Sequence, residues 1–272
     1  MSNDKRWEGS VIATSSIVHG GQSLGTVQYL RREKFLTPAG EIENIPVISG
    51  NAVRGALRDY SAELYHSFLE YHDLTLPQAQ LLWSGGSITK ARTEPLSGQR
   101  LREVREICPP FALLGGGIAG RVVSGSLSVG KVIPVCSELA HILPDSITSQ
   151  NLPSFWDLTQ LEEFSRFPDL DEEDNDKTQL MRFGVESFLP GTQFYWWSKT
   201  SARNEIEGLF FDELISAFLQ GNIQLGGLKA KGFGHLKAQD NNTIPNPKKD
   251  WREVLKKSFS LEDIIKRLDT LK

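Results

Sequence analysis

The order of its periodic segments predicts an α+β chain with a ferredoxin-like core interrupted by long insertions. Three observations carry that prediction. Segments follow one another as strand, helix, strand, insertion, strand or hairpin, strand, helix, strand, which divides into two βαβ-like halves. One amphipathic stripe of helical period runs through Val53, Leu57, Leu64, Phe68 and Leu69, and another through Leu209, Phe210, Leu214, Ile215 and Phe218. The aromatic run Gln193-Phe194-Tyr195-Trp196-Trp197 has the composition of a core strand.

Bulk properties narrow the class. The chain has 272 residues, of which 39% are hydrophobic and 24% charged, an ordinary soluble globular composition. No apolar run approaches the roughly 20 residues of a membrane span, and Met1 to Arg6 lack the apolar segment of a secretory signal. Cys108 and Cys136 have no metal-like spacing, so reduced thiols in a cytoplasmic protein are expected, with no membrane partner. The net charge of −4 argues against crude electrostatic binding of nucleic acid. Between Glu162 and Asp176, however, eight acids stand against one base, Arg166; setting that −7 aside leaves +3 for the rest. A mildly basic body with one acidic segment permits a local phosphate-binding face.

Taken in order, Trp7 to Val18 alternates loosely and reads as the first strand, closed by the glycine-rich loop His19 to Gly25. Tyr29 to Phe35 is a basic segment containing Arg31 and Arg32. Ile45-Pro46-Val47-Ile48-Ser49-Gly50-Asn51 then reads as a strand and tight turn opening a helix from Asn51 to about His72. Ser49 or Asn51 can cap that helix, and leftover amides with the positive dipole end form an anion site. Arg54 and Arg58, four apart, rise on one helical face beside it. Leu76 to Trp83 predicts a second short helix, Pro109 to Gly117 a compact apolar turn, and Ala119 to Val135 a strand. Ser137 to Gln179 lacks firm periodicity and reads as a functional insertion. Met181 to Glu186, Thr192 to Thr200 and His235 to Ala238 read as strands, Asn204 to Leu219 as a helix, and Asp250 to Lys272 as one or two terminal helices.

Four segments can face a polyanion: the loop after the first strand, the Ser49 turn, the three-glycine turn with Gly116, and Gly226 to Gly234. Each sets glycines near lysine or arginine, so that backbone amides can approach phosphates. None fits a dinucleotide fingerprint or a Walker loop. His66, His72, His141 and His235 lack partners at ligand spacing, leaving His19 as the histidine placed for a ligand. No metal or cofactor is expected. The acidic run is unpatterned and reads as a solvated loop.

These signatures resemble the RAMP superfamily of CRISPR effector proteins, in its Cas7-like backbone subunits. Ile45 to Arg58 resembles that family's "IPGSSLKGALR" stretch, Leu225 to Gly234 its "GGxxxxGFG" loop, and His19-Gly20-Gly21 its loop after the first strand. Glu186 with Pro190-Gly191-Thr192-Gln193-Phe194 is similar to its "E-x-V-P-x-G-T-x-F" segment. All four occur in the family's order. The resemblance implies an RRM-like palm over 1–136 and 180–240, with a helical insertion at about 73–110. A thumb-like hairpin insertion at 137–179 and a helical tail at 241–272 complete it. It implies a subunit that polymerises with other copies along a guide crRNA, inside a multisubunit CRISPR effector acting on a target nucleic acid. On that reading His19, Gly20, Arg31, Arg32, Ser49, Gly50, Asn51, Arg54, Arg58, Gly116, Lys229, Lys231 and Phe233 hold RNA, and Phe155 or Trp156 is the thumb wedge that flips out a base.

The sequence departs from the family at one place. Target-cleaving type III backbone subunits use an aspartate in the loop before the counterpart of the Ser49 turn; from Gly20 to Ile45 there is none, only Glu33, Glu41 and Glu43. Cleavage at a 2′-hydroxyl needs a group to position or deprotonate it, so no catalytic residue and no target-RNA cleavage are expected. A DNA target is favoured, and the Ser-Gly-Asn-x-x-Arg-Gly form is closest to the type IV backbone subunit. The alternatives are a target-RNA endoribonuclease of type III character, a guide-processing relative using His19, and an adaptor that binds another protein through Phe194 to Trp197.

Overall fold

A computed structural model of the chain describes residues 3–86, 97–118, 121–149, 151–166 and 181–269. Six elements form the core: β1 (Asn3–Ala13), α1 (Gly50–Phe68), β2 (Leu127–Val129), β3 (Gln193–Ala202), α2 (Glu205–Leu219) and β4 (Leu236–Ala238). The sheet runs β4-β1-β3-β2 with every neighbouring pair antiparallel, and Ile133–Pro134 extends the β2 edge along β3. Two interleaved βαβ halves in this order are the ferredoxin-like arrangement that the element order predicts.

The side-chain period of two sorts β3 cleanly: Phe194, Trp196, Ser198, Thr200 and Ala202 are buried, while Tyr195 and Trp197 lie half-buried on the other face. Trp196 packs 4.4 Å from the Phe218 ring of α2 and 5.5 Å from Trp7 of β1. The aromatic run is therefore core on its inner face, which argues against its use as an adaptor surface. The predicted inner face of α2 is buried throughout, and Asn204 caps it by accepting the Glu207 amide at 2.8 Å. The terminal segment forms Trp251–Ser258 and Leu261–Asp269. Trp251 inserts between Phe68 and Phe210, 5.0 Å from each ring, so the tail is pinned to both core helices.

Several elements differ from expectation. Helix α1 stops at Phe68 rather than His72, because Glu70 and Tyr71 both turn into left-handed backbone (φ 56°) and Tyr71 N–H returns to the His66 carbonyl. Residues 109–117 are not one turn: Pro109–Leu114 is a buried helix, started by two prolines that need no amide partner, and Gly115–Ile118 pairs with Arg121–Ser124. The long insertion supplies only the first strand of a hairpin, Thr159–Arg166; Met181–Phe188, expected as a palm strand, supplies the second, and the pair joins Val27–Leu30 and Gly20–Leu24 in a second, four-stranded sheet. Leu161 on the exposed face and Glu162 on the half-buried one mask the alternation. The acids from Asp169 to Asp176, and Lys90 and Arg92 of the helical insertion, lie outside the described residues. Residues 137–158 pack around a separate apolar cluster with Ile45, Val47, Ile133 and Phe155. Both cysteine thiols are buried, which pushes them up to about 12. No described helix is long and apolar enough to cross a membrane.

Candidate nucleic-acid interface

Three of the predicted loops converge around His19. Of the two cap candidates it is Ser49 that caps α1, accepting the Ala52 amide at 3.2 Å. The Ser49 amide in turn donates to His19 Nε2 at 3.2 Å. The His19 carbonyl accepts the Arg31 amide at 2.7 Å, and the Arg31 carbonyl accepts from Val47. On the other side, Gly227 N–H donates to the Val18 carbonyl at 2.8 Å, and Gly234 N–H to Ser16 at 2.8 Å. Gly226 sits at φ +82°, and a Cβ there would lie 1.9 Å from the Val18 oxygen, so only glycine lets the loop close on the segment that follows β1.

The cradle so formed exposes Gly20, Asn51 and Lys229, and beneath Asn51 the amides of Gly50 and Asn51 take no partner among the described residues. A helix of 19 residues presents its positive dipole end there. Arg31 stands beside it, 3.7 Å from Glu33, which also pairs with Lys131. Burial, and then the Arg31 charge, holds the His19 ring below the usual histidine range, against an opposing pull from Glu33. A neutral ring agrees with its acceptor role at Nε2.

A chain of the "Type IV-B CRISPR Complex" matches with 29% identity and a TM-score of 0.66, over 94% of this chain and 100% of that one. The chain has the Cas7-like fold. A chain of the "Cryo-EM structure of the Type III-B Cmr-beta bound to cognate target RNA" matches more distantly, at 11% identity and a TM-score of 0.48, over 87% of this chain and 59% of that one. No protein-family model and no curated protein matches.

Other predicted contacts of this Cas7-like chain sit differently. Arg54 donates to the carbonyls of Leu127 and Leu114, both at 2.7 Å, and Arg58 to those of Leu114 and Gly115 at 3.2 and 3.1 Å. The two guanidiniums thus tie α1 to the end of the Pro109–Leu114 helix, where carbonyls lack partners. Neither forms an ion pair among the described residues, and burial pushes both below the usual arginine range. Gly116 belongs to the same knot, lying on the Gly85 carbonyl. Arg32 is held by both oxygens of Glu186, at 2.8 and 2.5 Å, so it is not free for phosphate. Phe233, 8% exposed, packs with Val18 and Val185 and offers no ring for stacking.

Of the two wedge candidates, Phe155 is corrected: it is 1% exposed and fills the second cluster beside Ile45 and Val47. Trp156 is 64% exposed, 4.6 Å from the Phe155 ring and beneath the Arg32 guanidinium at 5.6 Å. It lies at the base of the hairpin, in the turn Phe155–Leu158. Sequence reasoning missed Lys131. The reciprocal Ile48–Val132 pairing carries it to the helix start, and nothing local marks that 84-residue reach.

Proposed function

We propose that this chain is a backbone subunit of a CRISPR complex, which binds a guide RNA through the His19 cradle, lines up with further copies along it, and does not cut nucleic acid itself. The observation that carries this reading is the convergence on Val18 and His19 of loops separated by 30 and 209 residues, each with amides or glycines exposed. Phosphates meet there the helix start, the exposed Lys229 and the Arg31 guanidinium. Arg54 and Arg58 contribute positive potential from within, since only carbonyls meet them. Contacts of this kind are to the backbone and carry no sequence information, which suits a subunit that must accept any guide.

The absence of an aspartate between Gly20 and Ile45 supports a non-cleaving role. So does His19, whose Nε2 already accepts an amide and cannot also take a proton from a 2′-hydroxyl without releasing the helix start. A DNA target is favoured on the same ground. Co-expression with a CRISPR array, purification and sequencing of bound nucleic acid should yield RNA of uniform length in an oligomeric particle. A monomer free of RNA would overturn the reading. Labelled complementary RNA should stay intact in the assembled complex; cuts at regular intervals would overturn the non-cleaving part.

A further inference from the structure

Lys231 was expected to meet phosphate, but its ammonium lies 4.0 Å from the Phe164 ring centre and 5.4 Å from that of Phe183. Those rings are directly opposite one another in the projecting hairpin, stacked at 5.4 Å. Phe164 also reaches Phe233 of the glycine-rich loop at 6.3 Å, in the small cluster with Val18 and Val185. The hairpin's backbone ties to the rest of the described residues are the Ile17–Phe188 bridge and the short parallel pairing of Gly184 and Val185 with Val27 and Gln28, so from Phe164 and Phe183 outward it runs as a two-stranded ribbon. Two-stranded ribbons hold their angle poorly without side-chain support. A cation over two stacked rings supplies such support from a different part of the chain.

We infer that Lys231 is a positioning residue, which clamps the base of the hairpin to the glycine-rich loop and so sets the hairpin's angle. Lys229, exposed two residues earlier with no ring beneath it, is the loop's phosphate ligand. Only the consequence for guide binding rests on the function proposed above; the clamp belongs to the free chain. Because the same loop borders the cradle through Gly227 and Val18, the hairpin's orientation is tied to the place where the guide would lie.

Hydrogen exchange on the RNA-free protein tests the clamp. Lys231→Met keeps the apolar stem and removes the charge. It should speed exchange of the hairpin amides at 161–165 and 182–187 by about two- to five-fold, the size expected of an exposed cation–π contact. Lys231→Arg should restore the wild-type rate, Lys229→Met should leave it unchanged, and Phe164→Leu should reproduce the acceleration. Unchanged exchange in Lys231→Met, or equal acceleration in Lys229→Met, would overturn the proposal.

Guide binding across a salt series separates the two lysines. Lys229→Met should flatten the salt dependence and Lys231→Met should not. If Lys231→Met flattens it while exchange stays at the wild-type rate, Lys231 is a phosphate ligand and the clamp is overturned with the guide reading intact. Failure of the wild type to bind RNA would sink the guide reading, and the clamp would stand or fall on the exchange rates alone.

Discussion

The two ends of one sequence motif do different work. At its front Asn51 is exposed, His19 holds the Ser49 amide, and the amides of Gly50 and Asn51 take no partner among the described residues. One helical turn later, Arg54 and Arg58 point at carbonyls of Leu114, Gly115 and Leu127 and lock α1 to its neighbours. The uncharged end is the better candidate for phosphate, and the charged end is mortar. Charge in a motif marks a ligand only where the fold leaves the donors free.

Substitutions can sharpen or break this contrast. The largest effect is expected at Gly226→Ala. It combines left-handed backbone with a Cβ 1.9 Å from the Val18 oxygen, and should cost about 3 kcal/mol or more. Urea unfolding measures that loss, and a near-neutral result would mean the cradle does not depend on this closure. Arg54→Ala comes next. It strands the Leu127 carbonyl and half-strands Leu114, and should cost about 2–3 kcal/mol. Lys229→Ala should stay within about 0.5 kcal/mol of wild type in stability. That same change should reduce the salt slope of RNA binding by about 0.7 for its one phosphate. A reversed pattern between these two lysine and arginine variants would break the division drawn above.

A smaller effect is expected from acid. His19 folds as the neutral ring with its proton affinity lowered by burial and Arg31, so the unfolded chain takes up the proton more readily. Stability is then fully present above the ordinary histidine range and declines as pH falls through it. Chemical unfolding at pH 7.5 and 5.5 should show this loss, reduced in His19→Gln. The smallest effect is a gain. Gly55 lies exposed within α1 with open space around it, so Gly55→Ala should stabilise by about 0.5–1 kcal/mol. Thermal unfolding would register it.

What was legible in the sequence follows from how local each signal is. Helix periodicity in α1 and α2, the Ser49 cap and the aromatic strand are nearest-neighbour patterns, and they stand where expected. The ferredoxin-like order followed from their sequence. The partners of Arg32, Arg54 and Arg58 were not legible, because Glu186, Leu114 and Leu127 lie 154, 60 and 73 residues away. The burial of Phe155 beside the exposure of its neighbour Trp156 depends on which of two consecutive rings faces the Ile45–Ile133 cluster, and a 3₁₀ turn without a repeating face cannot announce that.

That exposure makes Trp156 an optical probe of the molecule. The chain has six tryptophans. Trp7, Trp196 and Trp251 are buried and Trp83 and Trp197 half-buried, leaving Trp156 as the indole open to solvent. Acrylamide should quench it first, removing the red edge of the emission while the buried indoles keep theirs. A nucleobase settling on that ring would shield it, so the emission spectrum of the unlabelled protein would follow RNA arriving at the hairpin base in real time.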